Sequence, residues 1–138
     1  MAGKYVIDAC ALLAFFYREE GFDIVKSVLK RADAGDSKVY MNKLNLLEVY
    51  YDVLRSIGLR EADDSYNVVL KLPIHVIDGI SDAVFREAGR IKTNYKVSLA
   101  DSIALGEASI LNAAILTSDH HEFDLIEQKE KINFAWIR

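Results

Sequence analysis

The sequence predicts an α/β fold in which helices cover both faces of a short parallel sheet. Short β-prone runs alternate along the chain with longer segments of helical periodicity. Strands separated by helices require right-handed crossovers, which give parallel pairing. The chain also contains only seven Gly and one Pro, too few for a loop-rich all-β design. Its 138 residues predict a single domain over residues 1–138.

The individual elements follow from local patterns. The predicted strands are β-prone runs at residues 5–7, 38–41, 74–77, 114–116 and 132–136. The predicted helices have apolar residues three and four positions apart and cover residues 9–17, 22–34, 43–57, 60–71, 81–95 and 98–111. Gly35 and Gly58 each mark a helix end. The stripes predicted to be buried are Leu44, Leu47, Tyr51 and Leu54 on the 43–57 helix, and Val84, Phe85, Ala88 and Ile91 on the 81–95 helix.

Composition narrows the class of protein. Hydrophobic residues make up 51% and charged residues 28% of the chain, which is typical of a globular domain. The formal net charge of −4 argues against a protein that coats nucleic acid through a basic surface. The single cysteine, Cys10, cannot form an internal disulfide and fits a reducing compartment. The longest uncharged apolar run, residues 9–17, is far shorter than the ~20 residues that span a bilayer, so no membrane contact is predicted and the cytoplasm is the expected location.

Two acids follow predicted strands. Asp8 comes directly after the first strand, and Asp119 comes three residues after Leu116 at the end of the fourth. Ligands of open parallel sheets bind beyond the carboxyl ends of the strands, so both acids are candidates for one negatively charged pocket. The alternative is that each is an ordinary turn aspartate that hydrogen-bonds its own backbone.

Two further acids lie in apolar helical segments. Glu48 stands within an apolar stretch of the 43–57 helix, an unusual position unless the carboxylate is paired or bound. Asp101 stands in the first turn of the 98–111 helix. Capping boxes are the alternative for both, because Asn45 and Ser98 each precede the acid by three residues.

Four carboxylates in one pocket would repel one another and raise one another's pKa values unless a cation compensates. Mg²⁺ and Mn²⁺ prefer oxygen ligands and suit such a site. A bound divalent ion can activate water and neutralise charge on a phosphoryl group. The pattern therefore indicates metal-assisted hydrolysis of a phosphate ester with Asp8, Glu48, Asp101 and Asp119 as metal-binding and catalytic residues.

The four acids lie in four motifs, which are in chain order Val6-Ile7-Asp8-Ala9-Cys10-Ala11-Leu12-Leu13-Ala14, Leu46-Leu47-Glu48-Val49, Ser98-Leu99-Ala100-Asp101-Ser102-Ile103-Ala104 and Ile115-Leu116-Thr117-Ser118-Asp119. Together these motifs resemble those of the PIN-domain nucleases, and most closely the VapC-type toxins of toxin–antitoxin pairs. The resemblance implies a three-layer α/β/α sandwich and hydrolysis of RNA phosphodiester bonds with Mg²⁺ or Mn²⁺. It further implies that the four acids are the family's acidic positions, and that the chain is a homodimeric toxin with a cognate antitoxin. One departure is Ala9, where the family often has Thr or Ser, so a hydroxyl that could support the metal site is missing.

Two other functions are compatible with a parallel α/β chain. One is a PIN-like module that has lost catalysis and only binds a partner. The other is a receiver-like phosphoacceptor domain, although no second acid is adjacent to Asp8. Asp52, Asp78 and Asp124 are weaker candidate ligands, and a basic group formed by Arg86, Arg90, Lys92 and Lys96 is a candidate phosphate contact.

Overall fold

The computed structural model describes residues 3–138, in which five strands form one parallel sheet. The strands are β1 (Gly3–Ile7), β2 (Ser37–Asn42), β3 (Ile74–Ile77), β4 (Ala114–Thr117) and β5 (Phe134–Trp136). The helices are α1 (Ala9–Phe16), α2 (Phe22–Asp33), α3 (Lys43–Ser56), α4 (Leu59–Lys71), α5 (Asp82–Asn94), α6 (Leu99–Leu111) and α7 (His120–Lys129). The sheet order is β3-β2-β1-β4-β5, so the winding direction reverses between β1 and β4. That reversal is where a parallel sheet opens a crevice at the carboxyl ends of its strands.

Helices cover both faces of this sheet, as the sequence predicts. Val6 and Ile115 belong to the hydrophobic cluster on one face, whereas Ile7 and Leu116 belong to the cluster on the other. Adjacent residues of a strand point to opposite faces, so β1 and β4 supply side chains to both cores. The predicted three-layer α/β/α class is therefore confirmed.

The predicted burial of α3 is wrong. Leu47 is 53% exposed and Tyr51 is 50% exposed, whereas the buried face carries Asn45, Leu46 and Val49. The helix has two apolar stripes, and periodicity alone does not say which of them meets the sheet. Phe85 on α5 is likewise exposed, although Val84, Ala88 and Ile91 of the same predicted stripe are buried.

The sequence did not predict helix α7. His120 begins this helix, and its imidazole lies 2.8 Å from Asp124 Oδ1 and 2.8 Å from the backbone oxygen of Arg138. The ring also stacks on Trp136 of β5, with the ring centroids 3.8 Å apart. His120 thus joins the start of α7 to the last residues of the chain. No helix within residues 3–138 has both the length and the hydropathy that crossing a bilayer requires.

Candidate active site

Asp8 lies at the carboxyl end of β1 with only 2% of its surface exposed. Its Oδ1 accepts a 2.9 Å hydrogen bond from the backbone N–H of Ala11, so it caps the N-terminus of α1. Burial removes the carboxylate from water and raises its pKa from 3.8 to about 7, although hydrogen bonds from Thr117 and Ala11 oppose this rise. The charges of Asp101 and Asp119 raise the pKa further.

Thr117 joins the two acids that follow the central strands. Its hydroxyl donates to Asp8 Oδ2 at 2.5 Å and accepts a 3.0 Å hydrogen bond from the backbone N–H of Asp119. This fully buried residue is the functional residue that sequence reasoning missed. The signal was the Thr117-Ser118-Asp119 sequence itself, since a hydroxyl was expected only next to Asp8, where Ala9 stands. The supporting hydroxyl comes instead from the neighbouring strand.

Asp119 begins α7 as its N-cap, and its Oδ1 accepts a 3.2 Å hydrogen bond from the backbone N–H of Glu122. Both strand-end acids therefore make the local hydrogen bonds that the turn interpretation predicts. These bonds leave acceptor positions available, because each carboxylate oxygen can accept more than one hydrogen bond, and the Asp8 oxygens and Asp119 Oδ1 each accept one here. Capping and ligand binding are thus compatible for Asp8 and Asp119.

Asp101 lies half-buried in the first turn of α6. The hydroxyl of Ser98 caps this helix by accepting the backbone N–H of Asp101 at 3.0 Å. Burial raises the pKa of Asp101 to about 6, and the charges of Asp119 and Glu48 add to that rise. The Ser98 cap fixes the backbone of Asp101, so its carboxylate sits at the helix start with other acids around it.

Glu48 is half-buried on α3. The helix begins at Lys43 with Asn42 as its N-cap, and Asn42 Oδ1 accepts the backbone N–H of Leu44 at 2.9 Å. A capping box with Asn45 as the N-cap is therefore wrong. Burial and the charge of Asp119 raise the pKa of Glu48, while a hydrogen bond from Asn45 opposes the rise.

The structure brings the four predicted acids into one electrostatic group. The thiol of Cys10 is affected by the charges of all four acids. Desolvation by burial and these charges together raise the pKa of the thiol to about 12. Cys10 is a free, exposed cysteine. Within residues 3–138, no three Asp, Glu, His or Cys side chains stand close enough together to form a complete metal cage.

The donor set nevertheless fits a hard divalent cation. Its members are carboxylates, and Mg²⁺ commonly binds one or two protein carboxylates and fills its remaining positions with water and substrate oxygens. Burial, and to a smaller extent the charges of neighbouring acids, raise the pKa values of Asp8 and Asp101 in this cleft. A divalent ion would compensate the negative charge of these acids.

The weaker acidic candidates are engaged elsewhere. Asp52 accepts hydrogen bonds from Tyr17 at 3.1 Å and from Arg55 at 2.7 Å. Asp78 is largely exposed and forms an ion pair with Lys43 at 3.7 Å. Neither acid is among the charges that raise the pKa values of Asp8 and Asp101.

Two members of the predicted basic group are also occupied. The guanidinium of Arg90 contacts Glu87 and Glu130 at 2.7 and 2.8 Å, and these carboxylates hold its pKa above the ordinary value. The ammonium of Lys92 donates to the backbone oxygen of Val97 at 2.7 Å. Both side chains serve the packing around α5, so the expectation that they contact phosphate is not supported.

The PIN domain family model matches residues 5–129 of the chain. The chain belongs to the PIN domain family. That match spans all four acids and Thr117. The family match identifies the fold as that of a PIN domain and not that of a receiver-like domain. No curated protein sequence matches the chain.

Solved structures with the same fold include toxins of toxin–antitoxin complexes. The VapBC2 complex of Rickettsia felis bound to promoter DNA gives a TM-score of 0.74 at 14% identity, covering 96% of this PIN domain chain and 97% of that one. VapBC-1 of nontypeable Haemophilus influenzae gives 0.72 at 14% identity, with 97% and 98% covered. VapC20 of Mycobacterium tuberculosis, a toxin that cleaves the sarcin–ricin loop, gives 0.57 at 15% identity, with 82% and 86% covered.

Proposed function

We propose that this PIN domain is a metal-dependent endoribonuclease that hydrolyses RNA phosphodiester bonds with Mg²⁺ or Mn²⁺. The observation that carries the proposal is the buried Asp8 carboxylate at the end of β1, which Thr117 joins to Asp119 and which lies in one electrostatic group with Glu48 and Asp101. Membership of the PIN domain family supports a nuclease, and the sarcin–ricin loop cleaved by the structurally similar VapC20 supports RNA as the substrate. We take residues 1–138 as a single domain.

Asp8, Glu48, Asp101 and Asp119 would hold the cation. When bound, such an ion lowers the pKa of water and neutralises charge that develops on the phosphoryl group. The polypeptide contributes positioning: the Thr117 hydroxyl holds Asp8 Oδ2 and the backbone of Asp119 in one arrangement. Because the Asp8 carboxyl must be ionised to bind a cation, its proton is released on binding and metal affinity rises with pH through about 7.

RNA cleavage gives the direct test of the proposal. The metal-loaded protein incubated with structured RNAs should cut them, and EDTA should stop the reaction. Asp8→Asn and Asp101→Asn should each abolish cleavage, whereas Asp33→Asn, an exposed acid on α2, should not. Equal cleavage by Asp8→Asn and wild-type protein would refute the assignment of the site.

A catalytically inactive binding module is the second candidate. One observation favours it: the described acids do not stand at the spacing of a complete metal cage. A binding module would show no cleavage and no change in melting temperature with saturating Mn²⁺. A nuclease would cleave RNA, and its melting temperature would rise with Mn²⁺. The two assays on one preparation therefore separate these functions.

We further propose that the chain is the toxin of a type II toxin–antitoxin pair and acts in the cytoplasm. The structures from Rickettsia felis and Haemophilus influenzae are of VapBC complexes, which supports a cognate antitoxin as partner. Expression of the chain alone should arrest bacterial growth, and Asp8→Asn should relieve the arrest. Growth arrest that persists with Asp8→Asn would contradict a nuclease toxin.

A homodimer is the remaining part of the proposal, and an exposed apolar face supports it. Phe85 on α5 is 70% exposed, and Leu99 on α6 is 64% exposed. Ile80 and Leu47 are also exposed and line the neighbouring surface, so the apolar face extends from α5 and α6 to α3. Leu44, Leu47, Tyr51 and Leu54 follow the 3-4-3 spacing of a helix-packing seam. A two-fold pair of chains would cover this face with the same face of a second copy.

A further inference from the structure

Asn45 connects the two helices that carry Glu48 and Asp101. It lies on α3 one turn before Glu48, and its side chain is fully buried. Its Nδ2 donates a 2.9 Å hydrogen bond to the backbone oxygen of Ala100, the residue before Asp101. One carboxamide thus spans from the helix of one acid to the backbone beside another.

The same carboxamide has an unused acceptor. Asn45 Oδ1 is buried, and no other group within residues 3–138 donates a hydrogen bond to it. A buried polar atom without a partner costs free energy, so an apolar side chain of similar size would be the simpler choice for helix packing alone. The carboxamide is therefore better explained by its neighbours in the acidic cleft than by packing.

The α3–α6 contact does not depend on Asn45 alone. Asn42, at the start of α3, donates to Glu107 Oε2 of α6 at 2.9 Å and to the backbone oxygen of Gly79 at 3.0 Å. This second polar link ties the same two helices away from Ala100. Loss of the Asn45 link should therefore disturb the end that bears the acids and leave the helices paired.

We propose that Asn45 is a positioning residue that sets the placement of Glu48 relative to Asp101 in the cation-binding cleft. The inference rests on the proposed nuclease function. The Nδ2 bond anchors the first turn of α6 beside Asp101, while Asn45 itself lies one turn before Glu48 on α3.

The test compares Asn45→Leu with Val53→Ala, a change at a buried residue near the other end of α3. Mn²⁺ affinity is measured by calorimetry without RNA, and amide hydrogen exchange of α6 is measured on metal-free protein. We expect Mn²⁺ binding by Asn45→Leu to weaken 10- to 100-fold, as is usual when a residue that supports metal ligands is lost. We also expect faster exchange at the Ser102 amide, whereas Val53→Ala should leave the Mn²⁺ affinity unchanged.

Asn45→Ser provides a second variant if Asn45→Leu fails to fold, because serine keeps a polar group but is too short to reach Ala100. The proposal is overturned if either folded variant binds Mn²⁺ with wild-type affinity, or if exchange in the first turn of α6 does not change. Failure of the wild-type protein to bind Mn²⁺ would instead refute the proposed function. The exchange measurement would then still decide whether Asn45 positions α6.

Discussion

Replacement of Asp8 by asparagine should stabilise the metal-free protein while it destroys the proposed site. Asparagine has nearly the same shape, and it can keep the N-cap bond to Ala11. The Thr117 hydroxyl can accept from the new amide, because a hydroxyl has two acceptor positions. The substitution therefore removes a buried negative charge and leaves the surrounding packing intact.

The pKa of Asp8 gives the size and sign of this effect. Its rise from 3.8 to about 7 corresponds to about 4 kcal/mol against the ionised carboxylate in the folded state. The unfolded chain releases the proton near pH 4 and the folded chain near pH 7. The wild-type protein is therefore free of this cost below about pH 4, loses stability as the pH rises to about 7, and carries the full cost above it.

Urea unfolding in EDTA, from pH 5 to pH 8.5, measures the difference between the two proteins. Asp8→Asn should be the more stable at pH 8 by about 2 to 4 kcal/mol, and its advantage should shrink by about 3 kcal/mol at pH 5. Asp33→Asn should show no such pH-dependent difference. A gap between Asp8→Asn and wild-type protein that stays constant across this pH range would refute the desolvation argument.

Mn²⁺ should remove most of this difference in stability. At 100 times Kd, binding adds ~2.7 kcal/mol to the wild-type protein and little to Asp8→Asn. Melting curves with and without Mn²⁺ at pH 8 measure both effects. An equal Mn²⁺-dependent rise in Tm for the two proteins would show that Asp8 is not a ligand.

Three further variants test other parts of the structure. Thr117→Val removes the hydroxyl that holds Asp8, so we expect its pKa to rise further and RNA cleavage at neutral pH to fall by at least tenfold, as measured by kcat/KM. Gly21→Ala should lower the unfolding free energy by more than about 1 kcal/mol in urea titrations, because Gly21 has a φ of 98° and an added Cβ would lie 2.7 Å from Ile137 Cδ1. Phe85→Ser should convert the dimer to a monomer in analytical ultracentrifugation, and the monomeric variant should remain folded with an unchanged Tm. A dimer that persists in this variant would contradict the proposed apolar interface.

Much of the fold could be predicted because the relevant signals are local. Strand-forming runs and helical periodicity identified the element order, and the acids after Ile7 and Leu116 were placed at one sheet edge by the rule for parallel strands. The structure adds Thr117 to β4 and Asp119 to the start of α7, a helix that the sequence did not predict. This helix has only ten residues, and many of them are charged, so its apolar periodicity is weak. Its N-cap, Asp119, lies in the candidate site.

The sequence by itself determined which residue types follow each strand, and therefore which chemistry the sheet edge offers. Only the tertiary structure decided how the carboxylates are supported. The register that pairs Ile7 with Leu116 brings Asp8 beside Thr117, which is 109 residues away in the chain. Such a contact depends on which strands are neighbours. Likewise, periodicity showed that α3 has an apolar stripe, but only packing against the sheet decided that Leu46 is buried and Leu47 is exposed.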